Sequence, residues 1–235
     1  MSRGKEILQM KNIRKRFGRH HVLNGVSLTC SEGSCIGIAG VNGSGKSTLL
    51  SVIAGIQKHD EVQIYIDGIN ILKNKKYIGK YIGYVPQENP LIEDLSVNDN
   101  LKLWYCDSPY NLKEELEKGF LRSLGINEFQ KKTVKKLSGG MKKRVSIAAA
   151  VHNAPKLLLL DEPSAALDLI AKKTIRDYLK EYMSGGGTVI IVTHDQEELD
   201  MCNELYVISE GRLKHIQNNV RGEGLLREIS GRGQV

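Results

Sequence analysis

The sequence predicts an α/β fold: a mostly parallel sheet, an N-terminal antiparallel β subdomain and an inserted α-helical subdomain. Three features predict it. A short apolar run at residues 34–39 feeds straight into a glycine-rich loop and then a helical stretch. A second apolar run, four leucines at 157–160, delivers two acids, Asp161 and Glu162, at its end. Between them, residues 98–129 switch to helical spacing, which interrupts the strand–helix alternation of a parallel sheet.

The elements follow in order. Short β-type runs are expected at 7–10 and 26–30, with Glu32-Gly33 turning the chain into the run at 34–39. A helix should occupy 46–54. Residues 61–71 alternate apolar and polar around Asp67-Gly68, which predicts a hairpin. Residues 81–85 should form a strand stopped by Pro86. Leu101, Trp104, Tyr105, Leu112, Leu116, Phe120, Leu121 and Leu124 then fall near spacings of three, four and seven, which predicts helices. Another helix should cover 141–153, ahead of Pro155. A buried strand at 156–160, a helix at 169–183 and a β-branched strand at 188–193 follow, with glycines at 185–187 separating the last two. Residues 206–213 read as a closing hairpin around Glu210-Gly211, and a short helix with a frayed end is expected beyond Asn218. The core is therefore assigned to 6–86 and 156–216, the helical insertion to 87–155 and a C-terminal tail to 217–235, all within one domain.

At 235 residues the chain can bury one large core. No apolar run approaches the roughly 18 residues that span a bilayer, and residues 1–10 hold no signal-peptide segment. A cytoplasmic location is expected, with a peripheral position on the inner face of a membrane compatible with the net charge of +7. The basic clusters at 11–19, 131–136 and 142–144 read as solvated faces. Aromatics make up only 6% of the chain, too few around these clusters for a nucleic-acid stacking surface. Cys30, Cys35, Cys106 and Cys202 form no C-x-x-C pair and are expected to be free thiols.

The loop Gly40, Val41, Asn42, Gly43, Ser44, Gly45, Lys46, Ser47, Thr48 fits the phosphate-binding pattern G-x-x-x-x-G-K-[ST]. Its glycines let backbone N–H groups turn inward on a phosphate chain, and the following helix adds its positive dipole end. Lys46 would reach the β- and γ-phosphates, and Ser47 would offer its hydroxyl to Mg²⁺. Asp161 would hold the same Mg²⁺, and Glu162 would polarise an attacking water. Both acids leave the sheet edge where the loop emerges, the edge at which α/β proteins bind ligands.

With Leu137, Ser138, Gly139, Gly140 and Met141 added, the chain resembles the nucleotide-binding subunit of an ATP-binding cassette (ABC) transporter, a P-loop NTPase. The resemblance covers about residues 6–216. It implies two copies, or a copy and a homologous ATPase subunit, paired head to tail. Ser138, Gly139 and Gly140 of one chain would then cover ATP held by the other. It further implies that Phe17 stacks on adenine, and that Gln87 touches Mg²⁺ and the attacking water. Ser164 and Asp168 would bound a dimer-interface loop, and His194 would contact the γ-phosphate as a catalytic switch. Phe17 stands where the family usually has Tyr, Met141 where it has Gln, and Ala166 where Gly is common.

The resemblance implies ATP hydrolysis coupled to transport through separate integral membrane subunits, with no specific nucleic acid partner. The basic residues 142–144 that follow the signature motif Leu137–Met141, and the segment 95–101, look more like exporter subunits. An importer ATPase, or a non-transport relative acting on ribosomes or DNA, are the alternative readings.

Overall fold

The computed structural model describes residues 5–58, 61–73 and 75–230. β1 (Glu6–Phe17) and β2 (His20–Ser31) form a long antiparallel hairpin. The pairing register shifts around Asn12, whose backbone turns left-handed at φ 53°. That irregularity lets alternation resume, so Ile13 and Lys15 both face inward. The strand therefore runs well past the predicted residues 7–10, through a charged stretch that breaks the apolar pattern.

Glu32-Gly33 does turn the chain, but not into a hairpin. β3 (Cys35–Ala39) belongs to a different sheet from β2. After β3 come the glycine loop and α1 (Lys46–Ile53). β4 (Glu61–Ile66) and β5 (Ile69–Asn70) are the predicted hairpin, paired Tyr65 to Asn70 and Ile66 to Ile69. α2 (Lys75–Tyr81) was not foreseen. It takes Tyr81 from the predicted strand and leaves β6 (Ile82–Val85).

The helical block divides into α3 (Val97–Tyr105), α4 (Leu112–Glu117) and α5 (Phe120–Ser123), followed by single turns. Pro109 and Gly119 interrupt what the periodicity alone joins. α6 (Gly139–Ala150) begins at the signature glycines, capped by Ser138, whose hydroxyl accepts the Met141 N–H. β7 (Leu157–Asp161), α7 (Leu169–Ser184), β8 (Thr188–Val192), α8 (Gln196–Asp200), β9 (Glu204–Ser209), β10 (Arg212–Ile216) and α9 (Gly222–Ser230) complete the chain. The predicted tail is described to Ser230, and 231–235 lie outside the described residues.

Two sheets result. One is antiparallel, in the order β2-β1-β4-β5. The other, β10-β9-β3-β8-β7-β6, is parallel except for the β9–β10 hairpin. Its central strands are buried on both faces, and their alternation splits the core in two. Leu158 and Leu160 pack on one side with the helices, Leu157 and Leu159 on the other with α1 and the antiparallel sheet. Among the described residues no helix is long and apolar enough to cross a membrane. Cys30, Cys35 and Cys202 are buried free thiols and Cys106 is exposed.

Candidate active site

β3 ends at the carboxyl edge of the parallel sheet, and the glycine loop leaves it there. Two glycines are dictated by space. A Cβ on Gly40 would lie 2.6 Å from the Ile208 carbonyl, and one on Gly45, at φ 104°, 2.9 Å from that of Val22. α1 has no side-chain cap and no acid in its first turn. Its leading N–H groups and dipole are left for an anion.

Lys46 is 7% exposed. Its ammonium donates to the Gly40 carbonyl at 2.6 Å and the Val41 carbonyl at 3.0 Å, closing the loop on itself. Burial lowers its pKa, while Glu162 and Asp161 oppose that shift.

Asp161 ends β7 and is 2% exposed. Burial raises its pKa, against a hydrogen bond from Ser47 and the charges of Lys46 and Lys143. Its Oδ1 is buried without a hydrogen-bond partner. An orphan carboxylate oxygen beside a serine hydroxyl is a donor set that fits a hard cation such as Mg²⁺.

Glu162 takes a left-handed backbone at φ 47°, unusual for a residue with a side chain, and donates its N–H to the Val192 carbonyl at 2.8 Å. Its Oε1 lies 3.3 Å from His194 Nε2. Burial raises the Glu162 pKa, which favours proton uptake, although Lys46 counters it. Burial and then Lys46 lower the His194 pKa, so the imidazole is neutral at neutral pH.

These groups surround one cavity of about 610 Å³. Asn42, Gly43, Gly45, Lys46, Ser47, Thr48, Gln87, Asp161, Glu162 and His194 all line it. Other predicted residues lie elsewhere. Phe17 is not in the wall; it is 48% exposed, with the Lys15 ammonium 4.8 Å from its ring centroid. His20 and Val22 line that side instead, and no pattern in the sequence singled them out. Ser138, Gly139 and Gly140 are also outside the lining, at the start of α6. Ser164 is buried and donates to Glu198, while Asp168 caps α7 by accepting the Ala171 N–H at 2.8 Å. Ala166 sits at φ 58°, which accounts for glycine being common there in the resembled family.

Two buried charges went unnoticed in the sequence. Glu198 accepts hydroxyls from both Ser164 and Thr193 and so joins the segment after Glu162 to the one before His194. No motif marks it in the sequence. Lys143 is 4% exposed, which corrects the reading of 142–144 as a solvated face. Arg144 likewise turns inward, to the Leu124 carbonyl and the Phe129 ring.

A phosphate cradle facing two carboxylates, one of them buried, at the carboxyl edge of a parallel sheet defines a nucleoside-triphosphate-hydrolysing α/β protein. Comparison narrows the class. The ABC transporter family matches residues 23–165, and the chain belongs to that family as an ATP-binding, ATP-hydrolysing subunit. The spermidine/putrescine import ATP-binding protein PotA of Bacteroides fragilis is 38% identical over 92% of this chain, which spans 48% of that relative. The Nod factor export ATP-binding protein I of Burkholderia lata is 35% identical over 87% of this chain and 68% of the relative. A solved dimeric ATP-binding cassette in a post-hydrolysis state, bound to ADP and Pi, superposes with a TM-score of 0.81 at 29% identity. That match covers 92% of this chain and 100% of the cassette.

Proposed function

We propose that this subunit drives export of a solute through separate integral membrane subunits, working as a head-to-tail dimer on the cytoplasmic face of the membrane. One observation carries the dimer. The cavity gathers Lys46, Asp161, Glu162 and His194, yet the signature at Ser138–Gly140, a second helix start able to hold phosphate, lies outside its lining. A second copy would supply it. Leu169 and Ile170, 79% and 81% exposed beside Asp168, fit a surface covered by that copy.

In this reading the loop N–H groups and Lys46 bind the β- and γ-phosphates, and Phe17 meets the base. Mg²⁺ would be held by Ser47 and Asp161, with Gln87 alongside, and would neutralise phosphate charge. Glu162 takes the proton of the attacking water, and His194 orients the γ-phosphate. The residue ranges 6–86 with 156–216, and 87–155, act as core and helical insertion. The membrane partner docks in the apolar groove between them, which Ile56, Tyr84, Pro90 and Trp104 line. Export rests on the basic run after the signature and on the likeness to the Nod factor export protein, and the likeness to PotA is the counterweight.

Mixing two inactive variants tests the shared site. Lys46→Met and Ser138→Arg are each expected to be inactive. In a mixed dimer one site loses both groups and the other keeps both. Half the dimers would be mixed, each with one good site, so about a quarter of wild-type ATPase should return. No recovery on mixing would place both motifs in one chain's site and refute the pairing. Direction is read by reconstituting the subunit with its membrane partner in vesicles. ATP-driven solute movement toward the nucleotide side would replace export with import.

A further inference from the structure

We propose that Lys143 is a positioning residue that fastens the Gln87 backbone to the helix opening at Ser138. The inference rests on the reading that Gln87 takes part in the reaction. Lys143 lies five residues beyond Ser138 on α6, and its ammonium donates to the carbonyls of Pro86 and Gln87, both at 2.9 Å. β6 ends at Val85, so these carbonyls lie past the last strand residue. Lys143 meets the chain where it leaves the sheet.

The rest of the segment 86–96 is anchored to the same side. Asn100 of α3, 2% exposed, accepts from the Ile92 N–H at 2.8 Å and donates to the Ile92 and Ser96 carbonyls, each at 3.0 Å. Lys142 pairs with Glu93 at 2.6 Å, and Lys135 with Asp94 at 2.8 Å. Of these anchors, Lys143 is the one whose partner lines the nucleotide cavity.

A full charge is expensive to bury, and packing alone would be served by an apolar side chain. Burial lowers the Lys143 pKa, against which stand the buried carboxylate of Asp161 and two hydrogen bonds that are strongest when the ammonium is charged. Any tilt of α6 as a second copy engages Ser138 would thus be passed to Gln87 through a short, buried link.

The test is a double-substitution cycle on the full chain, with kcat, KM for ATP and thermal midpoint measured for each variant. Lys143→Met should lower kcat about tenfold or more, as small misplacements near a reacting centre do, with KM within about twofold. Beside Gln87→Ala, Lys143→Met should cost little further, because its effect passes through Gln87. Lys143→Gln drops the charge and keeps a shorter donor. It should recover part of the loss, and its remaining loss should also vanish beside Gln87→Ala. This second variant carries the cycle if Lys143→Met does not fold. Full, additive losses in both backgrounds, or a wild-type kcat in Lys143→Met, would overturn the tether alone. A wild-type kcat in Gln87→Ala would overturn the role of Gln87, and the inference with it.

Discussion

Replacing Lys46 by methionine separates what this side chain does for the fold from what it does for the ligand. Its ammonium makes two bonds, 2.6 Å and 3.0 Å long, to loop carbonyls while the residue is 7% exposed. Hydrogen bonds involving a charge contribute about 1.5–3 kcal/mol each, so about 3–6 kcal/mol is lost. Methionine avoids the desolvation of a buried ammonium, which costs several kcal/mol, and its unbranched chain keeps the packing of the lysine stem. The two terms nearly cancel. The free variant should unfold within about 4 °C of wild type, as about 1 kcal/mol implies for a chain of this size. With nucleotide nothing cancels. Losing a charge-assisted bond to phosphate, at about 2–3 kcal/mol, weakens binding about 30- to 150-fold. The assay is thermal unfolding with added MgATP. At about 100 times the wild-type Kd, ligand stabilises wild type by about 2.7 kcal/mol and the variant by about 0.3–0.9 kcal/mol. Wild type should therefore rise about 5–11 °C and the variant about 1–4 °C. Parallel rises would refute the role of Lys46 at the phosphates. A fall of more than about 10 °C without ATP would refute the cancellation.

Three more outcomes are expected. Glu162→Gln replaces a carboxylate that burial already penalises, so it should bind MgATP, unfold no lower than wild type and lose about 100-fold or more in turnover. It should also elute as a dimer with MgATP; hydrolysis at the wild-type rate would remove Glu162 as the base. Asp67 is held at a pKa of about 2 by hydrogen bonds from Lys156 and Lys5. A depressed carboxylate pKa stabilises the fold above the unfolded value of 3.8, and that contribution is lost as pH falls toward 2. Asp67→Asn should lower the melting midpoint at pH 7, with the gap to wild type closing between pH 4 and 2; a gap constant with pH would sink the linkage. Ala166→Gly relieves a left-handed alanine, worth about 1–2 kcal/mol, against about 0.4–1 kcal/mol of extra unfolded-state entropy. A melting rise of about 1–3 °C is expected, and a fall would mean that no strain is held there.

The sequence places the proposed phosphate-binding residues at one cavity, as the structure also does, because their arrangement is local. The glycine loop, Ser47, Asp161 and Glu162 each lie within a strand-to-loop junction, and their spacing carries the geometry. His194 was singled out only through the family resemblance and its place after Asp161 and Glu162, since a histidine at a strand end carries no signal of its own. What stayed hidden depends on residues far apart in the chain. Lys143 looked like one cation in a basic run, and only its burial under Pro86 and Gln87 distinguishes it from the half-exposed Lys142. Glu198 carries no motif, and only the hydroxyl that Ser164, 34 residues upstream, donates to it marks it out. The β1–β2 hairpin outran its prediction because a left-handed Asn12 resets the alternation, which a periodicity count registers as an end.

Lys143 and Glu198 bear on one question, how a site built at one sheet edge can register a second copy. Glu198 joins Ser164, four residues before Asp168, to Thr193, next to His194. Lys143 joins the helix that Ser138 caps to Gln87. Each link begins on a segment assigned to the shared interface and ends on a residue beside the cavity. Both are buried polar groups, so lengthening either bond leaves an unsatisfied donor or acceptor in a low-dielectric interior, a steep penalty for a small movement. Stiff connections of that kind transmit displacement where apolar contacts would slide. Under the proposed function, Gln87 and His194 would then each be tied to the shared interface by a separate strut. Weakening one should leave nucleotide binding intact while it slows the step that needs both chains.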